Sequence, residues 1–479
     1  MTIKFNAVGR APTLGNFQQR LRSPLSRQIA VLVLVAGAFL FGGGSRGDIA
    51  SLIILRPLSI MLLGYGLACS QVDQLRELGA PLKLLVALAV LVAAQLIPLP
   101  PMVWHALPGR ELIASIDRDV LGLAPWRPIS LSPSKTLNTF FVLALPLAAM
   151  VNFAILPTEV KDRIPALLVA AGVASCLLGL LQAVGTANSP FYIYRITNNG
   201  MVVGLFSNRN HNAIFLACLV PLALSLGLSA QGRRAALTRV VSFGAAALFV
   251  PMVFATGSRA GSALLLVSLV ASAALWLAGL PNGRIKTFFR ERSLLATAIA
   301  LGLVATVVLT ILLFSGSQAF ARIFERSPAE ELRWQIMPQL WHLISTYFPA
   351  GSGFGSFYLV YQIREPTALL MPAYLNQAHN DFIGFLIEGG IVAGVLMFLA
   401  SGWMVLSGWL AFGSVRQNRA SGSFTSQSAF SWLSLSILLL GGLFDYPLRT
   451  PSLMCTAALL AASIEVKLRV GARQTVPFR

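Results

Sequence analysis

Apolar runs of bilayer-crossing length recur from about residue 29 to about residue 466, and short polar connections separate them. Hydrocarbon offers backbone N–H and C=O groups no water to bond, so a run inside it must close its hydrogen bonds within itself, as a helix does. Each run approaches the roughly 20 residues that an α-helix needs to cross about 30 Å of hydrocarbon. Composition agrees. Of the 479 residues 56% are hydrophobic and 11% charged, and the mean hydropathy is +0.74, whereas soluble domains carry about a quarter charged residues. The expected fold class is all-α, a polytopic membrane helix bundle with no separate soluble domain.

Spans are expected at 29–44, 49–70, 84–99, 134–155, 165–184, 209–230, 240–256, 260–280, 294–314, 380–411, 428–444 and 450–466, about twelve transmembrane helices by length. The chain then divides into a basic arm (1–28), helices one to nine (29–314), a large, partly helical outward loop (315–379), helices ten to twelve (380–466) and a tail (467–479). An even number of crossings leaves both ends on one side. Segments on that side hold 22 of the 36 Lys and Arg, which predicts cytoplasmic N- and C-termini by the positive-inside rule. The arm carries Lys4, Arg10, Arg20, Arg22 and Arg27 with no acid, too long a basic stretch for a cleaved signal, and is read as retained. Although the net charge is +19, the basic residues scatter singly between spans, which excludes nucleic acid as a partner and fits membrane orientation. Cys69, Cys176, Cys218 and Cys455 lie in apolar segments without metal-binding spacing and are read as packing.

Polar residues gather at the outward ends of the spans. Gln377 to Gly390 carries His379, Asn380, Asp381 and Glu388 where a membrane would begin, and ionisable groups at that depth face a wet cavity or a partner. A second stretch, Phe191 to Asn212, is dense in Asn, Gly and aromatics; it suits either a sugar site or plain turn chemistry. Gly257-Ser258-Arg259 makes so tight a connection that Arg259 must sit near hydrocarbon depth, as an anion contact or a snorkelling cation. In the large loop, residues 329–347 read as an amphipathic helix with Trp334, Met337 and Trp341 on one face, kinked at Pro338. Trp104 and His105 read as interfacial anchors. The run Pro349 to Phe357 resembles a nucleotide-binding glycine loop only superficially, because no βαβ context surrounds it. Gly390 and Gly394 form a small-xxx-small pair for close helix packing. Asp445 and Arg449 read as a local structural pair.

Taken together, Gly204-Leu205-Phe206-Ser207-Asn208-Arg209-Asn210, Gly257-Ser258-Arg259, Arg333-Trp334 leading to Gly351-Ser352-Gly353-Phe354-Gly355-Ser356-Phe357, and Ala378-His379-Asn380-Asp381 with Glu388-Gly389-Gly390 resemble the O-antigen ligase and Wzy-type polysaccharide polymerase superfamily. One departure is Arg209, where the family usually has proline between the two asparagines. The resemblance implies a GT-C-like, inverting, metal-independent glycosyltransferase without cofactor, at the periplasmic face of the bacterial inner membrane. Its implied partners are an undecaprenyl-diphosphate-linked glycan donor, a glycan acceptor, the lipid bilayer and a chain-length regulator protein. By motif position, His379 and Arg259 would be catalytic, and Arg195, Arg259 and Arg322 or Arg333 would hold the donor diphosphate. Asn380, Asp381, Glu388, Asn208 and Asn210 would orient these groups or meet the acceptor.

Such chemistry is physically coherent. A diphosphate leaves readily once its charge is held, and guanidinium forks do this at any relevant pH. The acceptor hydroxyl must lose its proton, which an imidazole takes near neutrality. Polymerase and ligase share donor and chemistry and differ in what offers the hydroxyl; polymerisation of an O-antigen or exopolysaccharide is favoured slightly. A polysaccharide transporter or lipid-linked-glycan flippase is the alternative of another class. It would need a polar path across the bilayer, yet the polar candidates concentrate on one side.

Overall fold

Capping residues fix where the helices begin. In the computed structural model, which describes residues 21–280, 333–370, 375–421 and 427–475, the Ser23 hydroxyl accepts from the Ser26 amide and starts α1 (Pro24–Phe41). Then follow α2 (Leu52–Cys69), α3 (Gly79–Ala94), the helix pair α4 (Pro133–Val142) and α5 (Ala144–Ala154), and α6 (Ile164–Val184). Asn208 caps α7 (Arg209–Leu228) by accepting from the Asn210 amide, and Ser258 caps α9 (Arg259–Gly279) by accepting from Gly261, with α8 (Ala235–Ala255) between them. After the large loop's α10 (Met337–Tyr347) and α11 (Phe357–Arg364) come α12 (Asp381–Ser421), α13 (Gln427–Gly441) and α14 (Pro451–Thr475). Among the described residues the only sheet is a ribbon pairing Pro98 with Pro128 and Leu99 with Arg127.

Eight described helical segments are long and apolar enough to cross a membrane, and α3 and α13 are shorter apolar helices. The chain is an all-α, multi-pass membrane protein. Ten of the expected spans overlap one of these helices, and the last, 450–466, falls on α14, which is not among them; the ninth, 294–314, lies outside the described residues, as do Arg322 and most of the basic arm. The hub is α7, 83% of whose apolar window is buried against 61% or less for the other candidate spans; it packs on α6, α8, α9 and α13. The four cysteines are buried and unbridged.

One expectation changes at α12. Gly390 is not a packing notch. It breaks the helix with φ +59 and ψ −146, and the Ile391 amide turns to the Pro349 carbonyl at 2.9 Å. The loop from Pro349 to Ser356 fills the break, with the Ser352 and Gly353 amides bonded to the Ile387 and Glu388 carbonyls at 2.9 Å each. Glu388, wholly buried, accepts from the Gly355 and Phe357 amides at 3.0 and 3.1 Å. With the Phe354 amide on Gln95 Oε1, the glycine loop's N–H groups are engaged within the protein, so the loop closes a broken helix and is no phosphate cradle.

The loops at this end of the bundle are tied down in the same way. Arg110 is buried and donates to the carbonyls of Pro108, Ile129 and Gly351 at 2.7, 2.7 and 2.8 Å, joining the 100–130 segment to the glycine loop. Trp104 is no interfacial anchor; it is 1% exposed, with its indole N–H on the Pro128 carbonyl. In α10, Leu340, Leu343 and Tyr347 are buried, with Ile336 just before the helix, whereas Trp341 and the preceding Trp334 are exposed. Pro338 stands in the first turn of α10, where its missing N–H is harmless, and so starts the helix where a kink was expected.

A Cβ at Gly390 would meet the Pro349 carbonyl at 2.0 Å, whereas one at Gly394 would meet only the Leu386 side chain at 3.4 Å. Gly390→Ala should therefore cost about 1–3 kcal/mol or more and Gly394→Ala within about 0.5 kcal/mol, read as Tm in detergent; equal melting would contradict the break.

Candidate functional site

Asp445 lies in the turn between α13 and α14 with no exposed surface, and three other chain segments converge on it. Asn210 Nδ2 from α7 donates to Oδ2 at 2.7 Å, and the Arg333 guanidinium approaches the same oxygen at 3.6 Å. His379 Nδ1 lies 3.2 Å from Oδ1, which also accepts the Tyr446 amide at 3.0 Å; His211 Nε2 stands 4.0 Å away. Burial alone would raise the Asp445 pKa, but the His379 hydrogen bond and the charges of His379, His211 and Arg333 outweigh it and hold the carboxyl well below the usual range. An ionised carboxylate can only accept, so in the neutral imidazole of His379 Nδ1 carries the proton and Nε2 is left as the acceptor.

The backbone at His379 is shaped for this contact. Its φ is +49, the one positive φ on a non-glycine among the described residues, a conformation that costs energy and persists only where surroundings hold it. Asn380 supplies the hold. Its Oδ1 accepts the Phe382 and Ile383 amides at 3.0 Å each, capping α12, and its Nδ2 donates to the Leu443 carbonyl at 3.1 Å. The Asp381 amide bonds the Gly442 carbonyl at 2.8 Å, seating the start of α12 on the end of α13.

The carboxylates expected to orient His379 do other work. Asp381 accepts from the Leu448 amide at 2.9 Å, and Glu388 pairs with Arg449 at 2.6 Å. Arg449 thus partners Glu388 and Asp381, not Asp445 as expected, and Asp445 is the acid at the imidazole. The Asn-rich stretch resolves largely as turn chemistry: Asn208 caps α7, and the Asn198 side chain accepts the Arg209 amide at 3.0 Å. Asn210 is the exception, through Asp445. Arg209, at the place of the family's proline, donates to the Thr256 and Gly257 carbonyls at 3.3 and 3.0 Å. It links the Asp445 cluster to the turn where Gly257 (φ +64) delivers half-buried Arg259 to the start of α9.

Arg333 donates to the Phe444 carbonyl at 3.0 Å besides facing Asp445, so its charge is partly engaged within the protein. Arg195 is exposed on the 185–208 loop, which Tyr194 anchors by accepting the Gly43 amide at 2.6 Å. Tyr446 was not foreseen. Its ring packs edge-on against both His211 and His379, with centroids 5.1 and 5.0 Å away. One signal for Asp445-Tyr446 was present in the sequence: a carboxylate at the end of an apolar span carries the same desolvation cost as Asp381, which was singled out on that ground.

Asp445→Ala strips Asn210, Arg333 and His379 of a shared buried acceptor and should cost about 3–5 kcal/mol, with Asp445→Asn losing less. Because the folded pKa lies below the roughly 3.9 of an unfolded aspartate, this stabilisation is complete above that value and is lost as pH falls through the folded pKa. Thermal melts across pH should show an acid step below about pH 4 that Asp445→Asn lessens; a step at neutral pH would contradict it.

Residues 244–398 match a protein-family model described as O-antigen ligase. No curated protein matches the chain. The matched stretch holds the Arg259 turn, the glycine loop, His379 and Glu388, and the partners Asn210, Asp445 and Arg449 reach into it from outside. With its membrane-spanning helices, the chain is a multi-pass membrane protein whose residues 244–398, about a third of its length, are similar to the O-antigen ligase family.

Proposed function

We propose that the protein is an inverting, metal-independent glycosyltransferase that polymerises undecaprenyl-diphosphate-linked repeat units of an O-antigen or exopolysaccharide. It works at the periplasmic face of the bacterial inner membrane, with both termini cytoplasmic. The observation that carries this reading is the His379–Asp445 pair. A left-handed backbone and a capped helix start hold the imidazole, a buried carboxylate fixes its tautomer, and Nε2 is thereby left as the basic nitrogen. In this reading His379 takes the proton of the acceptor hydroxyl as that oxygen attacks the anomeric carbon, and the bond to the diphosphate breaks. Asp445 steadies the imidazolium that forms, as the acid of a Ser-His-Asp triad does.

The leaving diphosphate needs positive charge, not a proton. Arg259 and Arg195 are its expected contacts, with Arg322 or Arg333 from the large loop; bidentate forks near a low-dielectric rim stabilise developing negative charge strongly. Arg333 acts in part through Asp445. Ligation of the glycan to lipid A-core is the second reading, favoured by the matched family's description.

Purified His379→Ala should keep its affinity for the lipid-linked donor and lose about 10²- to 10⁴-fold in transfer rate, and Asp445→Asn should lower kcat with little change in KM. Full turnover by His379→Ala would remove the base assignment. Arg259→Lys should rescue little, since an ammonium lacks the planar fork. Incubation with lipid-linked repeats, with and without lipid A-core, separates the readings: a ladder of products means polymerase, capture by the core means ligase, and no transfer in detergent favours a transporter.

A further inference from the structure

On the far side of Tyr446 lies a cavity of about 210 Å³ that neither His379 nor Arg259 lines. Its walls come from the α1–α2 connection and the start of α2, one side of α4, the end of the glycine loop, the approach to His379 and the start of α14. Tyr446 does not line the cavity but connects it to the imidazoles. Its ring packs edge-on against the imidazoles, and its side chain interacts with Ser45 and Asn376, both of which line the cavity. Gln377, another lining residue, stands two positions before His379.

Four cations and one carboxylate face this space. Arg46 forks Asp48 through Nη2 and Nε at 2.9 and 3.1 Å, and Arg449 pairs with Glu388 at 2.6 Å, so two of the cations are neutralised locally. Arg56 and Lys135 have no carboxylate within ion-pair distance among the described residues. Arg56 donates to the Gly47 carbonyl at 3.1 Å while its buried Nε has no partner. The Lys135 ammonium lies 5.5 Å from the Tyr358 ring centroid. The remaining polar lining is rich in amides, from Asn138, Asn376 and Gln377, which donate and accept, beside an aromatic ring that can cover an apolar sugar face. The volume falls below the roughly 300 Å³ at which drug-sized ligand pockets begin, which suits one sugar residue better than a lipid headgroup with its chains.

We propose that this cavity is an anion subsite for the acceptor glycan, binding the carboxylate or phosphate of an acidic sugar through Lys135 and Arg56. The proposal rests on reading His379 as the base that meets the acceptor hydroxyl, because the cavity adjoins that imidazole across Tyr446. Donor diphosphate and acceptor anion are then held by separate cations on two sides of one residue. The acceptor must therefore carry an acidic sugar close to the hydroxyl that reacts.

The test uses the full-length protein in zwitterionic nanodiscs, titrated with galacturonate, glucuronate, glucose 1-phosphate and glucose by saturation-transfer NMR. Undecaprenyl diphosphate binding is measured in parallel. At least one acid should bind about tenfold or more tightly than glucose, as a hydrogen bond to a charged group implies. Lys135→Gln and Arg56→Gln should abolish that preference, Lys135→Arg should retain it, and none should alter undecaprenyl diphosphate affinity. Equal binding of glucose and every acid would overturn the proposal, as would a preference that survives both glutamine substitutions. Loss of undecaprenyl diphosphate affinity in step with the acids would make the cavity part of the donor site, and displacement of every acid by phosphatidylglycerol would make it a lipid site; either overturns it. A wild type that prefers acids yet binds no undecaprenyl diphosphate would keep the anion subsite and remove the donor reading alone.

Discussion

A carboxylate with no exposed surface governs how the functional end of this bundle is put together. Ionised Asp445 is tolerable only because Asn210, His379, Arg333 and the Tyr446 amide surround it, since an unpaired buried charge costs several kcal/mol. Those partners come from the start of the central helix α7, the large loop and the start of α12. Satisfying one charge therefore fixes three otherwise independent segments in register. The strained backbone of His379 is affordable in the same sense: Asn380 and the docking of α12 on α13 over-determine it.

A second buried acid organises the neighbouring region by different means. Glu388 sits two residues before the Gly390 break, where a helix inside a membrane would leave amides and carbonyls without partners. Its side chain takes two amides of the glycine loop and the Arg449 guanidinium, while its carbonyl takes Gln95 and Gly353. The break and the loop are thus one device. The helix gives up its regular hydrogen bonds, the inserted loop restores them, and Arg449 neutralises the charge that does the holding.

The membrane architecture was legible in the sequence because its cause is local: each apolar run must solve its own hydrogen bonding, and its length against the bilayer says how. His379, Asn380 and Arg259 were legible for a related reason, since polar groups at the edge of hydrocarbon are conspicuous. Their partners were not. Asp445 stands 66 residues from His379 and 235 from Asn210 in the chain, and nothing in its own neighbourhood distinguishes it from an acid paired with Arg449 four residues on. Asp381 and Glu388 looked the better orienting acids because they share a helix with the histidine's flank, yet a helix that starts at Asp381 carries both away from a side chain that precedes it. Gly390 misled for a similar reason. A glycine four residues from another has the spacing of a packing notch, and only the third element, the loop at Pro349, shows that it is a break.

Pairing, more than position, decides which cations at this end can act on a ligand. Arg449 and Arg46 lie where an anion could approach, but each faces a carboxylate within about 3 Å, and displacing such a pair would leave an acid exposed to a like charge. Arg333 faces Asp445 and the Phe444 carbonyl, so its influence passes through the histidine's own partner. Arg56 and Lys135 differ, since no described carboxylate lies within ion-pair distance of them, Asp48 acting on Lys135 only from farther off across the cavity. A cation held that way gains most from an incoming anion. On the proposed reading, the same logic that makes Asp445 a gathering point from the inside makes Lys135 and Arg56 a receiving point from the outside, with Tyr446 keeping the two charge balances apart.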